Sequence, residues 1–186
     1  MSGAVPTSLG GERPPGDALP VGVPGGGVAL RTGTLAVWVG SLRAFPNGFD
    51  FVVRVVRGPG RPPTARFEPV PDALPIEVAY GDGRIRRGPS HGAPAVVSRD
   101  GRTPITLMEL GGSGNSSLWE SRYWVHPLPP DGPVTVTVGD PGGPAGVVGL
   151  SGAAIRAAAA ECERLWPGQD FDEGEGGANW FTVSTG

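Results

Sequence analysis

Residues 34–56, "TLAVWVGSLRAFPNGFDFVVRVV", decide the fold of this chain. Leu35, Val37 and Val39 alternate to one face, with Ala36 and Trp38 on the other. After Asn47-Gly48 the alternation resumes: Phe49, Phe51, Val53 and Val55 share a face, opposite Asp50, Val52, Arg54 and Val56. A period of two is the signature of a strand with one buried face. Asn-Gly tolerates the positive φ that a type I′ turn needs at both central positions, so the stretch reads as a β-hairpin centred on Asn47-Gly48.

Similar runs continue outward. Ile76, Val78 and Tyr80 alternate with Glu77 and Ala79 and run into an Asp82-Gly83 turn. "PAVVSR" (94–99) and "PITLMEL" (104–110) flank Asp100-Gly101, a third hairpin candidate, and Leu118–Val125 and Val134–Val138 are the last two strands. Short strands at roughly 8–12-residue spacing describe an antiparallel sandwich or barrel, of which a jelly-roll-like β-sandwich is one form. One helix is expected, about 151–166: Ser151 caps it, an alanine run favours it, and Pro167-Gly168 ends it. Its stripe of Ile155, Ala159, Cys162 and Trp166 should lie against a sheet or plug one end of the sandwich, with Cys162 as a packed, inert thiol. Residues 1–27 read as a Gly/Pro-rich arm and 168–186 as an acidic tail closing on "NWFTV", leaving 28–167 as the folded domain.

Composition excludes several functions. Gly (33) and Pro (22) break the chain into short elements. The fifteen Lys+Arg are all arginine, so neither a phosphate-loop lysine nor a Schiff base is available. A net charge of -3 argues against nucleic-acid binding. One cysteine cannot form an internal disulfide or a thiolate metal cluster. The absence of a long apolar stretch or a secretory leader suggests a cytoplasmic protein with no membrane partner.

The motif order resembles small β-sandwich proteins of actinomycetes. It is carried by Phe45-Pro46-Asn47-Gly48-Phe49, by Gly111-Gly112-Ser113-Gly114, by Trp124 to Pro130 and by Leu165-Trp166-Pro167 after the Ala-rich helix. The resemblance implies the fold and a cytoplasmic setting, and no activity or cofactor.

Candidate sites divide into weak constellations and a few sharper ones. Gly111–Gly114 sits between two strand-like runs, which suits an inter-strand loop better than a phosphate cradle. His91 and His126, the two histidines, could with Ser90 or Ser116 and Asp82 or Asp100 make a hydrolytic triad, or with Glu109, Glu120 or Asp100 a metal site. No nucleophile elbow and no H-x-H cluster supports either, so no metal or catalytic residue is assigned. "DFDEGEGG" (170–177) lacks the glycine and terminal glutamate of a calcium loop. Arg84 and Arg86 alternate to one face ~7 Å apart, a spacing that could hold a carboxylate or phosphate; a charged edge strand that resists aggregation is the plainer reading. Trp124 lies on one strand face with Glu120, Arg122 and His126, which suggests a half-buried ring at a rim. Trp180 and Phe181 lie in a tail that could add to a sheet edge of its own sandwich or of a partner. The expected function is a non-catalytic protein-interaction or adaptor module with a protein partner or self-association. The alternative is a small-molecule-binding or hydrolytic enzyme using His91, His126 and nearby carboxylates.

Overall fold

A computed structural model describes residues 13–58, 74–88, 102–115, 117–139 and 144–167. The strands are β1 (Ala18–Leu19), β2 (Val21–Val23), β3 (Gly27–Arg31), β4 (Leu35–Phe45), β5 (Gly48–Arg57), β6 (Ile76–Tyr80), β7 (Ile85–Arg87), β8 (Thr106–Gly114), β9 (Leu118–His126), β10 (Pro133–Gly139), β11 (Ala145–Ser151) and β12 (Glu163–Arg164), with helix α1 (Gly152–Ala160) before β12. A six-stranded sheet runs β2-β4-β5-β9-β8, with β3 also on β4, and a four-stranded sheet runs β11-β10-β6-β7. β4–β5 and β8–β9 are hairpins of the larger sheet, β6–β7 and β10–β11 of the smaller, so the chain changes sheet after each hairpin. All the pairings are antiparallel, and the molecule is a mainly β sandwich.

The two inner faces supply the core. Val37, Val39, Phe49, Phe51, Val53 and Val55 from the large sheet meet Ile76, Val78, Val134, Val136 and Val138 from the small one, all buried as their alternation predicts; Leu35 is half-buried at the margin. Phe51 stacks on Tyr123 with ring centroids 5.7 Å apart. Each such side chain contributes about 1.5–3 kcal/mol when taken from water. A bulge in β4 between Gly40 and Arg43 preserves this pattern: Ser41 takes a positive φ of 48° and the inward set switches from Val37 and Val39 to Leu42 and Ala44.

The β4–β5 hairpin forms, but its turn is one residue earlier than the Asn-Gly signal implies. Phe45 pairs with Gly48, so Pro46 and Asn47 are the two turn residues and Gly48 begins β5. Proline's fixed φ suits the first turn position. Gly48 serves a different purpose: a Cβ there would overlap the Val125 carbonyl oxygen and lie 2.6 and 2.7 Å from atoms of the Trp124 ring.

Three further expectations need correction. Part of the supposed arm is structured: β2 pairs with β4 and β1 pairs with β12. Its short runs carry no readable period because their partners are distant in sequence. Gly111–Gly114 is not a loop but the end of β8, paired with Trp119–Arg122. The glycines leave room for Trp119, whose ring would lie 2.9 Å from a Cβ at Gly112 or at Gly114. Helix α1 stops at Ala160 rather than Trp166, with Glu161 as its C-cap. The residues beyond the alanine run gain a strand pairing instead, a tertiary contact that outweighs helix propensity. As expected, Ser151 caps the helix by accepting the Ala154 N–H at 3.2 Å, and Ile155, Ala158 and Ala159 are buried where α1 packs on β2, β4 and β5. No helix among the described residues is long and apolar enough to cross a membrane. The 94–99 run, the Asp100-Gly101 turn and the 168–186 tail lie outside the described residues.

Candidate functional site

The outer face of the six-stranded sheet is built from cross-strand rows. One row sets Arg43 on β4, Asp50 on β5, Trp124 on β9 and Met108 on β8 side by side. The Asp50 side chain is fully buried between two arginines. Arg43 Nε donates to its two oxygens at 3.1 and 3.2 Å, Arg43 Nη2 to Oδ2 at 2.5 Å, and Arg122 Nη1 to Oδ1 at 2.7 Å. A buried carboxylate is tolerated only with such partners. Its bonds to Asp50 raise the Arg43 guanidinium further above its ordinary value. Arg43 also lies 5.7 Å over the Phe45 ring, which meets Trp124 edge-on at 5.3 Å.

A second row holds Trp38, Arg54 and Glu120. Arg54 donates to Glu120 Oε2 through Nε and Nη2, at 2.9 and 2.5 Å, and its guanidinium sits 5.5 Å from the Trp38 ring centre. The Trp38 ring lies across Gly40, where no side chain could fit. Aromatic and arginine side chains on this face are held in place by their neighbours, with Asp50 and Glu120 as the acidic partners. The outer face of the other sheet differs, with Ala79, Thr135, Thr137, Gly149 and the exposed Ile85 and Val147 beside one Glu77–Arg87 pair.

Arg84 and Arg86 share a face, as their alternation predicts, and it is the inward one: Arg86 pairs with the fully buried Val78. Both line a cleft of about 310 Å³ with Asp82, Gly83, Ile85, Pro104 and Ile105, at the seam where β7 approaches β8. Arg84 is fixed from three sides. Its Nε donates to Asp82 Oδ2 at 2.9 Å, its Nη1 to the Thr103 carbonyl at 2.7 Å, and its guanidinium covers the Tyr80 ring at 5.0 Å. Arg102 Nη1 donates to the Asp82 carbonyl at 3.2 Å, which places a third guanidinium at the rim.

Trp124 departs from the half-buried rim position expected of it. Its ring is fully buried, because Gly48 leaves a slot for it and Phe45 closes the side. His126 is half-buried on the same outer face, opposite Thr106. Glu109 pairs with Tyr123 on the inner face, and Glu120 is six residues along β9 and held by Arg54, so neither carboxylate joins His126. Glu109 instead accepts the Ser121 hydroxyl at 2.7 Å, and Ser121 Oγ accepts the Trp119 indole N–H at 3.1 Å. Burial, with Glu109 adding to it, pushes the neighbouring Tyr123 phenol up to about 12. Among the described residues no group of three or more His, Cys, Asp and Glu side chains gathers as a metal site would require. His91, Trp180 and Phe181 lie outside the described residues.

Sequence reasoning missed Asp50, Arg43, Arg122, Trp38 and Arg54 as one group. Asp50 was placed only on the face opposite Phe49 and Phe51, and its arginine partners are legible only once the hairpin register and the β5–β9 pairing are known. No family model, curated protein or solved structure matches this chain.

Proposed function

We propose that this chain is a non-catalytic interaction module that presents the outer face of its six-stranded sheet to a protein partner. One observation supports the reading: Trp38, Arg54 and Glu120 form one group of mutually fixed aromatic and charged side chains, and Arg43, Asp50 and Arg122 form a second on the same sheet face. Side chains already held in one rotamer lose little entropy on association, which is where binding energy is otherwise spent. Arg54 and Glu120 remain well exposed, so they are accessible to a partner.

Affinity capture from the native host, quantified for wild type and for a Trp38→Ala/Arg54→Ala variant, tests this. A Thr135→Ala/Thr137→Ala variant on the opposite sheet is the control. The expected outcome is a captured protein lost with the first variant and kept with the second; retention by both sinks the reading. Sedimentation of the purified chain shows whether the partner is a second copy.

A further inference from the structure

We infer that residues 170–183 of this same chain fold back over the outer face of the six-stranded sheet, so that a partner binds there only by displacing them. The inference rests on that face being a binding surface, and it names what covers the face when no partner is bound. Charge is the first support. Among the described residues the strands of this face turn four arginines outward, Arg31, Arg43, Arg54 and Arg122, against two carboxylates, Asp50 and Glu120. Asp50 is shared by Arg43 and Arg122, whose side chains remain 41% and 30% exposed, so one carboxylate offsets only one of these two cations. Residues 168–186 hold four of the chain's eighteen Asp+Glu, namely Asp170, Asp172, Glu173 and Glu175, and none of its fifteen Lys+Arg. Complementary charge of this kind fixes the register of a contact.

Apolar match and reach agree with it. The same face exposes Val28 on β3 and Val56 on β5, with the half-buried Trp38 on the strand between them. Trp180, Phe181 and Val183 are the apolar residues that would cover this strip. Cys162 Sγ lies 3.2 Å from the carbonyl of Ala44, the neighbour of Arg43 in β4, and Asp170 follows eight residues later, a reach of up to about 27 Å. Across β2 the residue opposite Arg43 is the exposed Gly22, so the sheet margin is low there. Trp38 lies five residues along β4 from Arg43, about 16 Å, and the seven residues from Glu173 to Trp180 span up to about 24 Å. The order along the segment therefore matches the order along the sheet: acids at Arg43 and Arg122, aromatics at Trp38. A short tether gives an effective concentration of order millimolar, so even weak contacts keep the face covered.

The test is ¹H–¹⁵N spectroscopy of the full chain and of two full-length variants, Asp170→Asn/Asp172→Asn/Glu173→Gln/Glu175→Gln and Trp180→Ala/Phe181→Ala. The charge variant should shift the Arg43 and Arg122 side-chain N–H resonances, and the aromatic variant the Trp38 indole N–H, while the Arg87 Nε–H on the other sheet stays in place. Backbone order parameters of residues 180–183 should exceed about 0.6 in the wild type and fall below it in the charge variant. The wild-type spectrum should be the same at about 20 μM and 1 mM, as a contact within one chain requires. Thermal melts confirm that both variants fold, and either one alone decides the test if the other does not. Unmoved Arg43, Arg122 and Trp38 resonances, or order parameters below about 0.6 in the wild type, overturn the proposal. Shifts that depend on protein concentration overturn it in favour of a second copy as the occupant. Both variants leave Trp38 and Arg54 intact, so a partner still captured by a chain whose resonances do not move sinks the covering segment alone, and loss of capture with Trp38→Ala/Arg54→Ala remains the separate test of the face.

Discussion

The Trp124 ring occupies the space that a side chain at Gly48 would need, across the β5–β9 pairing. The two residues are therefore a matched pair. Gly48→Ala should destabilise the fold by about 1–3 kcal/mol, the usual cost of overpacking. Denaturant midpoints measure it, and a loss under about 0.5 kcal/mol would mean that the ring moves aside freely.

The two ion-pair systems on the outer face should differ sharply in worth. Asp50 is fully buried and binds two arginines, so Asp50→Asn should cost about 2–4 kcal/mol. The Arg54 and Glu120 side chains are 44% and 36% exposed, so Glu120→Gln should cost no more than about 1 kcal/mol. Equal losses in chemical denaturation would contradict the ranking.

Both tyrosines of the chain are buried. Burial pushes the Tyr80 phenol well above its ordinary value, with Arg84 opposing, and pushes Tyr123 up to about 12. A phenol whose folded pKa exceeds its unfolded value of about 10 binds its proton more tightly when folded. Its stabilising contribution is complete below pH about 10 and is lost as pH rises through the folded value. Absorbance at 295 nm should stay flat through pH about 10 in the native protein, with tyrosinate appearing only near unfolding. A native step centred at about 10 would show that one ring is solvated.

Cys162 lies just past α1, where its thiol donates to the Ala44 carbonyl at 3.2 Å, and burial raises its pKa. Little thiolate is then present at neutral pH, so reaction with a thiol reagent should be slower than for free cysteine and accelerate on unfolding. Native labelling as fast as that of unfolded protein would contradict this placement.

How far the site could be read from the sequence turns on a single turn residue. Centring the hairpin on Asn47-Gly48 sets Phe45 opposite Asp50 and Arg43 opposite Val52. With Pro46-Asn47 as the turn, Arg43 faces Asp50 directly. Both registers bury the same apolar alternation, so the core residues were legible while the ion pair was not. Arg122 reaches Asp50 from 72 residues away and left no local trace. The Arg84/Arg86 spacing was readable, because it depends only on strand alternation and the Asp82-Gly83 turn. Helix start was legible from Ser151, a local capping effect, whereas its end was set by the distant β1.

The two-residue clasp of β1 on β12 has a mechanical consequence. Asp17 accepts the Leu165 N–H at 2.8 Å, so the incoming and outgoing chain lie side by side at one corner. Tension applied between them would peel this ribbon one hydrogen bond at a time, the weakest loading geometry for paired strands. The load would then reach β2 on the margin of the large sheet and the C-terminal turn of α1. A tether attached at both ends would thus strip that corner while the Phe51–Tyr123 stack at the centre still carried no strain.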